Sequence, residues 1–374
     1  MIREQLQDKC RGSLVGGAVG DALGYEVEFM NLAAIRKRFG KKGITCYVLH
    51  DGVAQFSDDT QMTLFTLEGL MSGVIDTKAG KLETILPYIE KGYLNWHKTQ
   101  TGIPEPQADS WMSHIRALWN RRAPGMTCMG ALDNIAQGME VRNNSKGCGG
   151  VMRVAPIGIF NAAHSNLYKY DDTAHLAGWA AEITHKHIAS TFASALLATT
   201  VENCIHDETV DRLTFSWIVD GGLTMMPKYF PGHDEELGRF SRLIHRALAL
   251  GQDSIPEASA IRELGEGWVG DEAIAIAVFS VMRHIDSFED CIVCAVNHDG
   301  DSDSTGAIAG NIIGAILGYS AIPSYYLENL EIEPILVSAA DDLCADVKIP
   351  EVNRRIGDRY IKHIPTGIDK DFLL

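Results

Sequence analysis

The sequence contains few of the features that mark a membrane, secreted or nucleic-acid-binding protein. It has 49 acidic against 33 basic residues, a formal net charge of −16, which argues against a general nucleic-acid binder. The N-terminal residues lack the apolar core of a signal peptide, and the apolar run from Ile308 to Leu317 is too short to span a bilayer. The eight cysteines show no secreted-scaffold spacing. We therefore expect a cytoplasmic protein with reduced thiols, without a membrane or nucleic-acid partner.

A complete set of zinc ligands is also missing from the sequence motifs. Cys291 and Cys294 form a lone pair whose spacing places two small apolar residues on one helix face. Core packing is therefore favoured over a redox or zinc role for this pair. His185 and His187 would point to different faces of a helix, which argues against joint zinc chelation.

Strand signals are few, and the best candidate is a short hairpin arm from Ile44 to Leu49. Strands and helices do not alternate, which argues against a doubly wound sheet. We find no composition break sharp enough for a linker, so we expect one all-α domain. Gly- and Pro-rich loops at 101–110, 121–127 and 143–150 are candidates to line a cleft. The predicted helices cover residues 3–24, 61–73, 80–98, 128–141, 173–204, 209–226, 234–250, 270–284, 287–296, 304–319 and 333–345.

Glycine recurs every four residues in two segments, 12–24 and 306–318. Each glycine in a helix interior costs about 1 kcal/mol relative to alanine, so a series of four requires a compensating gain. Close approach of a neighbouring helix through i±4 ridges would supply that gain. The pattern therefore predicts two central helices that touch along glycine ridges.

Two acidic motifs lie at residues 57–60 and 301–304, each with two carboxylates flanked by hydroxyls. Helix N-caps or solvated loops would explain either motif alone, because Ser, Asp and Thr are favoured there. Carboxylates brought together repel one another, and a hard cation such as Mg, Mn or Ca would neutralise them. The second motif precedes the second glycine segment, and Asp21 and Glu28 lie at or beyond the end of the first.

Other readings of these motifs fit less well. An EF-hand loop starting at Asp299 would need Gly at its sixth position and Glu at its twelfth, where Ser304 and Gly310 stand. A haloacid-dehalogenase-type phosphatase places its Asp-x-Asp pair after an N-terminal strand, whereas this pair comes late and follows a predicted helix. The loop 145–153 holds three glycines that could present N–H groups to an anion, but it is not a Walker loop.

Four motifs in this order resemble those of the ADP-ribosylglycohydrolase family. They are Gly16 to Gly24 with Glu28, Ser57 to Met62, Gly149 to Gly158 with Thr184-His185, and Asp301-x-Asp303-Ser304 with the glycine segment after it. The match extends from about residue 11 to residue 318. The ordered co-occurrence of the four motifs makes it specific.

The resemblance implies a compact, orthogonal multi-helix fold in a single domain, 1–374, with its motif core at 11–318 and a peripheral helical tail at 319–374. It implies a central cleft with two Mg or Mn ions and hydrolysis of the bond between ADP-ribose and a modified protein side chain, with arginine favoured. The implied metal ligands are Ser57, Asp58, Asp59, Asp301, Asp303 and Ser304. The implied catalytic residues are Asp59, Glu28 and Asp303. The implied substrate-binding residues are Ser145, Gly147, Cys148, Gly149, Gly150 and His185.

The implied chemistry uses both metals to polarise the ribose hydroxyls, while Asp59 or Glu28 takes a proton from the attacking water. The sequence departs from the family at Cys148, where many members have Asn, and at Ser57 and Ser304, which replace threonines but keep the hydroxyl. Asp109 is a candidate for a further acid that contacts the ribose.

Other functions stay open on the sequence alone. The protein could act on another ADP-ribose conjugate, be an inactive binding relative, or be an immunity protein that also binds and blocks a cognate ADP-ribosyltransferase. Tryptophans are core anchors by default, although one could stack on adenine. Those considered are Trp96, Trp111, Trp119 and Trp179.

Overall fold

The computed structural model describes residues 3–78, 81–165, 170–346 and 350–374. Within these ranges the chain is helical, and its only β pairings are isolated bridges. The helices are α1 Arg3–Tyr25, α2 Leu32–Phe39, α3 Asp58–Asp76, α4 Leu82–Thr101, α5 Met126–Ala136, α6 Ala155–Ala163, α7 Tyr170–Glu182, α8 Ile188–His206, α9 Arg212–Tyr229, α10 Asp234–Gln252, α11 Glu257–Leu264, α12 Gly270–Arg283, α13 Phe288–Val296, α14 Ser302–Leu317, α15 Ser324–Leu327, α16 Glu333–Leu343 and α17 Pro350–Tyr360. The predicted all-α class is confirmed.

Helices α1 and α14 pack against each other along the two glycine series. A Cβ atom built on Gly310 would lie 2.0 Å from the carbonyl oxygen of Gly16, and the other pairs are similarly close. Because no side chain fits between these backbones, glycine is required on both helices, and the predicted contact is confirmed. The facing pairs are Gly12 with Gly314, Gly16 with Gly310, and Gly20 with Gly306.

The order of these pairs makes the two helices antiparallel. The C-terminal end of α1, which carries Asp21, therefore meets the N-terminal end of α14, which carries Asp303. Helix α3 begins at the same place, since the backbone N–H of Ser57 donates to Asp21 Oδ1 over 2.8 Å. The glycine contact thus brings the two acidic motifs, 240 residues apart in sequence, to one junction of three helix ends.

The core around this pair is built by α8, α12 and α13, which pack against α14. Helix α8 is long and apolar enough to cross a membrane, but 89% of its most apolar window is buried inside the protein. Its position is therefore that of a core helix. Cys291 and Cys294 are also buried, as predicted.

Two sequence predictions about local structure are wrong. Residues 44–49 do not form a strand, because the Asn297 side chain satisfies both backbone groups of Ile44, accepting from its N–H over 2.8 Å and donating to its carbonyl over 2.9 Å. The helix expected over 173–204 is broken between α7 and α8 at 183–187. There the Asn143 side chain donates to the carbonyl of Thr184 and accepts from the N–H of Lys186, which replaces helical hydrogen bonds with tertiary ones.

Five helices, α2, α6, α11, α15 and α17, have no counterpart among the ranges that apolar spacing predicted. The first three have eight, nine and eight residues, too few turns for a clear apolar period. In the tail, Asp342 is buried and accepts from Arg355, Arg359 and the Tyr360 hydroxyl over 2.8, 2.5 and 3.0 Å. This network ties α17 to α16, which itself packs on α1. The single-domain boundary stays a prediction.

We expect Gly310→Ala to destabilise the protein by at least the roughly 1–3 kcal/mol that overpacking costs, because its Cβ would meet the α1 backbone. The matched control is Gly221→Ala on the exposed face of α9, where a Cβ would meet nothing within 4 Å. That change should stabilise by up to about 1 kcal/mol. Urea unfolding of both variants measures the difference, and a neutral Gly310→Ala would contradict the close contact.

Candidate active site

A cavity of about 200 Å³ opens at the junction of α1, α3 and α14. It is smaller than a neighbouring cavity of about 560 Å³ that shares Trp268, but it is the one in which acidic side chains converge. Residues 125–128 at the start of α5, loop residues 147–149 and His185 also line it. Its five carboxylates belong to Glu28, Asp58, Asp59, Asp301 and Asp303.

Asp21 positions the first acidic motif from behind the cavity. It is fully buried and accepts from the backbone N–H groups of Ser57 and Thr60 over 2.8 and 2.9 Å, and from the Thr60 hydroxyl over 2.5 Å. Two of the N–H groups at the start of α3 are thereby satisfied by a carboxylate from α1. The sequence placed Asp21 near the end of the glycine ridge but did not reveal this role.

The first motif presents Asp58 and Asp59 differently. Asp58 Oδ2 accepts from the N–H of Gly125 over 3.0 Å, which draws the loop before α5 against the cavity. Asp59 Oδ2 is buried and has no hydrogen-bond partner. Ser57 caps α3, its hydroxyl accepting from the N–H of Asp59 over 3.2 Å, and it lies behind the cavity lining.

The second motif is held by the segment before α12. The N–H of Asp301 donates to the carbonyl of Glu266 over 2.8 Å, and the Asp301 carbonyl accepts from the Thr305 hydroxyl over 2.8 Å. Ligand-capable oxygens of Asp301, Asp303 and Glu28 all lie within 4.8 Å of one another. Glu28 Oε2, like Asp59 Oδ2, is buried without a hydrogen-bond partner.

Burial and mutual repulsion make these carboxylates hard to ionise. Burial, followed by the charges of Asp303, Asp301 and Asp58, raises the pKa of Glu28 to about 11. Burial and Asp303 raise the pKa of Asp21 to about 7. Burial is also the first cause that raises the pKa values of Asp58, Asp59 and Asp301 well above the ordinary range. Without added positive charge the cluster must hold protons.

This donor set fits hard divalent cations. All its ligand atoms are oxygens, the type that Mg²⁺ and Mn²⁺ prefer, and two of them are buried without another partner. Of the six ligands implied by the sequence, five line the cavity and Ser57 stands behind it. The five are Asp58, Asp59, Asp301, Asp303 and Ser304.

The glycine loop packs tightly between His185 and α12. Its Gly147 N–H donates to the Ser145 hydroxyl over 3.3 Å, and its Cys148 N–H donates to the Trp268 carbonyl over 3.2 Å. A Cβ on Gly149 would lie 3.0 Å from the His185 ring, and one on Gly150 would lie outside the cavity lining, against the Ser190 hydroxyl. Two of the loop amides are therefore already used within the protein.

His185 enters the cavity wall because the chain breaks between α7 and α8. Burial and the Arg153 guanidinium lower the pKa of His185 to about 3, so the ring is neutral. Its Nδ1 shares a hydrogen bond with the Thr184 hydroxyl over 2.9 Å. Arg153 itself is fully buried over the Tyr93 ring, 4.0 Å from the centroid, and donates to the same hydroxyl over 2.7 Å.

Trp268 is a cavity residue that the sequence analysis missed. It lies 39% exposed beside Phe29, which is 75% exposed, with the ring centroids 6.0 Å apart in a stacked arrangement. Exposed aromatic side chains carry no periodic signal that would single them out. Trp96 and Trp111 are fully buried, as expected of core anchors, and Trp119 and Trp179 are partly buried.

The loop 101–110 does not reach this cavity. Asp109 lies in a separate cavity of about 330 Å³ and pairs with Lys91 over 3.2 Å. Of the three loops that were candidates to line a cleft, 121–127 and 143–150 contribute to this cavity, whereas 101–110 contributes Asp109 to the other one.

The chain is similar to proteins of one known family. A family model described as ADP-ribosylglycohydrolase matches residues 3–352. The chain is 26% identical over 346 residues to the ADP-ribosyl-[dinitrogen reductase] glycohydrolase of Rhodospirillum rubrum, covering 89% of this chain and 94% of that protein. It is 25% identical over 343 residues to the ADP-ribosylarginine hydrolase Tri1 of Serratia proteamaculans, covering 90% of this chain and 79% of that one.

Among solved structures, an ADP-ribosylglycohydrolase-related protein complex has a similar fold, with a TM-score of 0.60. The likeness covers 91% of this chain and 98% of that chain at 21% identity, so it bears on the fold alone. The compact multi-helix fold expected from the sequence is thereby confirmed, while the two-metal cleft stays a prediction.

Chelated protein should lose stability as pH rises. Unfolded carboxyls have pKa values near 4, whereas burial raises the pKa values of Asp21 and Glu28 to about 7 and about 11 in the folded state. Between these values the unfolded state binds fewer protons, so the free energy of unfolding falls with pH. Mg²⁺ or Mn²⁺ should therefore raise the Tm more at pH 8 than at pH 5. Thermal melts in EDTA and in each metal measure this.

Two variants separate the cavity from other buried acids. Glu28→Gln should flatten the pH dependence of the chelated protein and reduce the metal-induced rise in Tm. Glu68→Gln removes another carboxyl whose pKa burial raises to about 7, but one outside this cavity, so it should leave the metal effect intact. A metal effect of equal size at both pH values would contradict the assignment.

Proposed function

Because the chain belongs to the ADP-ribosylglycohydrolase family, we propose that it uses two divalent cations, Mg²⁺ or Mn²⁺, to remove ADP-ribose from modified protein side chains. The observation that carries this proposal is the set of five buried carboxylates around one small cavity, two of which have an oxygen without a partner. Such a cluster is costly for a fold to keep unless a cation neutralises it.

When bound, the cations would polarise the ribose hydroxyls and favour deprotonation of a nearby water. The ligands from the chain would be Asp58, Asp59, Asp301, Asp303 and Ser304, with Glu28 beside Asp301 and Asp303. Ser57 would act through the N-cap that orients Asp59.

Asp59 or Glu28 would take the proton from the attacking water, because each has a buried oxygen without a hydrogen-bond partner. The bond that breaks joins the anomeric carbon to the acceptor atom, through an oxocarbenium-like transition state. Asp303 lies close to both Glu28 and Asp301. Its negative charge would lie near the positive charge that develops on the ribose.

The neutral His185 and residues 147–149 of the cavity lining would hold the ADP-ribose moiety, with Ser145 and Gly150 supporting them from outside the lining. The ring has one nitrogen bonded to Thr184 and the other free to face the cavity. Cys148 lies in the lining where many family members have Asn, so hydrogen bonding to the ligand would be weaker there.

We propose arginine as the modified residue. Proteins similar to this chain over most of its length include one named as an ADP-ribosylarginine hydrolase and one named as an ADP-ribosyl-[dinitrogen reductase] glycohydrolase. Serine and small-molecule conjugates are the competing substrates, because the hydrolysed bond starts from the same anomeric carbon in each.

Two alternatives concern partners and activity. Binding and blocking a cognate ADP-ribosyltransferase, as an immunity protein would, is a separate proposal that a pull-down against a neighbouring transferase tests. An inactive binding relative is disfavoured because the acidic ligands are retained.

All eight cysteines are free, which supports the proposed cytoplasmic location.

Release of ADP-ribose from arginine-modified protein should require Mg²⁺ or Mn²⁺ and should stop in EDTA. Asp59→Asn and Asp303→Asn should each lower kcat by roughly 100-fold or more, as expected when a group that acts in the transition state is lost. Incubation with arginine-linked and serine-linked substrates, followed by quantification of free ADP-ribose, measures bond type and metal dependence together.

The matched control is Asp76→Asn at the other end of α3, which changes a carboxylate far from the cavity lining. It should retain wild-type activity. Full activity in EDTA, or in Asp303→Asn with an intact fold, would contradict the proposed metal mechanism.

A further inference from the structure

A second group of metal-type ligands lies outside the cavity. In the described part of the chain, two groups of three such side chains have ligand atoms within 4.8 Å of one another. One is the cavity trio of Glu28, Asp301 and Asp303. The other consists of Glu257, His284 and Cys294, none of which the proposed reaction uses.

These three side chains come from three different elements. Glu257 is the first residue of α11, His284 follows the last residue of α12, and Cys294 lies near the end of α13. His284 Nε2 and Glu257 Oε1 are 2.7 Å apart, within hydrogen-bonding distance. The donor set is therefore assembled by tertiary packing and held in place without an ion.

Burial is graded across the trio. Cys294 is 3% exposed, whereas the side chains of His284 and Glu257 are 22% and 45% exposed. An ion could enter from solvent past the His284 imidazole and the Glu257 carboxylate and reach the buried Cys294 sulfur. The Ser280 hydroxyl, which donates to the Ile276 carbonyl over 2.9 Å, also lies 3.6 Å from Cys294 Sγ, within reach as an outer partner of a thiolate.

The geometry points to a zinc-type site formed by Cys294, His284 and Glu257, with solvent in the fourth position. Sulfur, nitrogen and carboxylate oxygen together suit Zn²⁺ or Co²⁺, whereas the oxygen-only cavity suits Mg²⁺ or Mn²⁺. The two sites would therefore take different metals from a mixture.

One nearby cation bears on this site. The Arg283 guanidinium donates to the backbone carbonyls of Leu250 and Ile255 over 2.6 and 3.2 Å, which directs it to the chain rather than to the trio. Burial raises the pKa of the Cys294 thiol, and Arg283 partly opposes that shift.

The Cys294 thiolate and the Glu257 carboxylate together carry two negative charges, which would balance the charge of the divalent ion.

The position of the site suggests a tether. Helix α11 leads into residues 266–268, which hold Asp301 and carry Trp268, and α13 leads into the loop that ends at Asp301. An ion at Cys294 would fasten the start of α11 to the ends of α12 and α13. We expect it to stabilise the fold around the cavity wall without entering the reaction.

The test is a Co²⁺ titration of chelated protein in excess Mg²⁺. We expect a thiolate-to-cobalt absorption band that saturates at one ion per chain and that Zn²⁺ abolishes. Because the thiol must lose a proton, the affinity should rise with pH. Absence of the band would overturn the proposal.

Cysteine variants assign the sulfur. Cys294→Ser should abolish the band, whereas Cys291→Ser, a buried neighbour on the same helix, should retain it. Cys148→Ser should also retain it, which separates this site from the cavity thiol beside Asp301. A band that survives in Cys294→Ser, or that disappears in Cys148→Ser, would contradict the site.

Two further variants keep the proposal testable should Cys294→Ser fold poorly. Glu257→Gln and His284→Asn change side chains that are partly exposed, and circular dichroism checks their fold. Each should weaken Co²⁺ binding by at least the roughly 10–100-fold that the loss of an outer-shell partner costs. Unchanged affinity in both variants would show that the trio does not bind the ion.

Discussion

Backbone-to-backbone contact between α1 and α14 is the interaction on which the rest of the structure depends. Only glycine at the facing positions lets the two helices lie this close, and the contact fixes them antiparallel. Because the helices are antiparallel, the C-terminal end of α1 lies beside the N-terminal end of α14. The acidic residues at those ends, Asp21 and Asp303 among them, are consequently neighbours, and α3 is drawn to the same point by its hydrogen bonds to Asp21.

The electrostatic cost of this convergence shapes the site. Burial and repulsion raise the pKa values of several carboxyls, and buried oxygens of Glu28 and Asp59 are left without partners. The large apolar core contributes the stability that such a cluster consumes. The proposed cations would neutralise most of the local negative charge and so help an acidic protein to bind a diphosphate. Function and stability would then depend on the same ions.

Much of the site could be predicted because its determinants are local. The glycine series, the two acidic motifs and the glycine loop each stand within a few consecutive residues, so their spacing is visible in the chain. The residues that escaped prediction act through distant partners. Asp21 holds the start of α3 only because the fold brings α3 to it. Trp268 lines the cavity only because of the path that the chain takes between α11 and α12. Cys294 meets Glu257 and His284 only because α11, α12 and α13 pack together.

Residue periodicity and chemistry, which are properties of the chain, were enough to predict the helical class, the two touching glycine helices and the acidic motifs that line the cavity. Tertiary contacts alone decided where two of the predicted elements end or fail to form. Apolar spacing continues across 183–187, yet Asn143 breaks the helix there and turns His185 into the cavity. Likewise, Asn297 removes the need for a strand at Ile44. In both places one side-chain amide, remote in sequence, satisfies backbone groups that local structure would otherwise have paired.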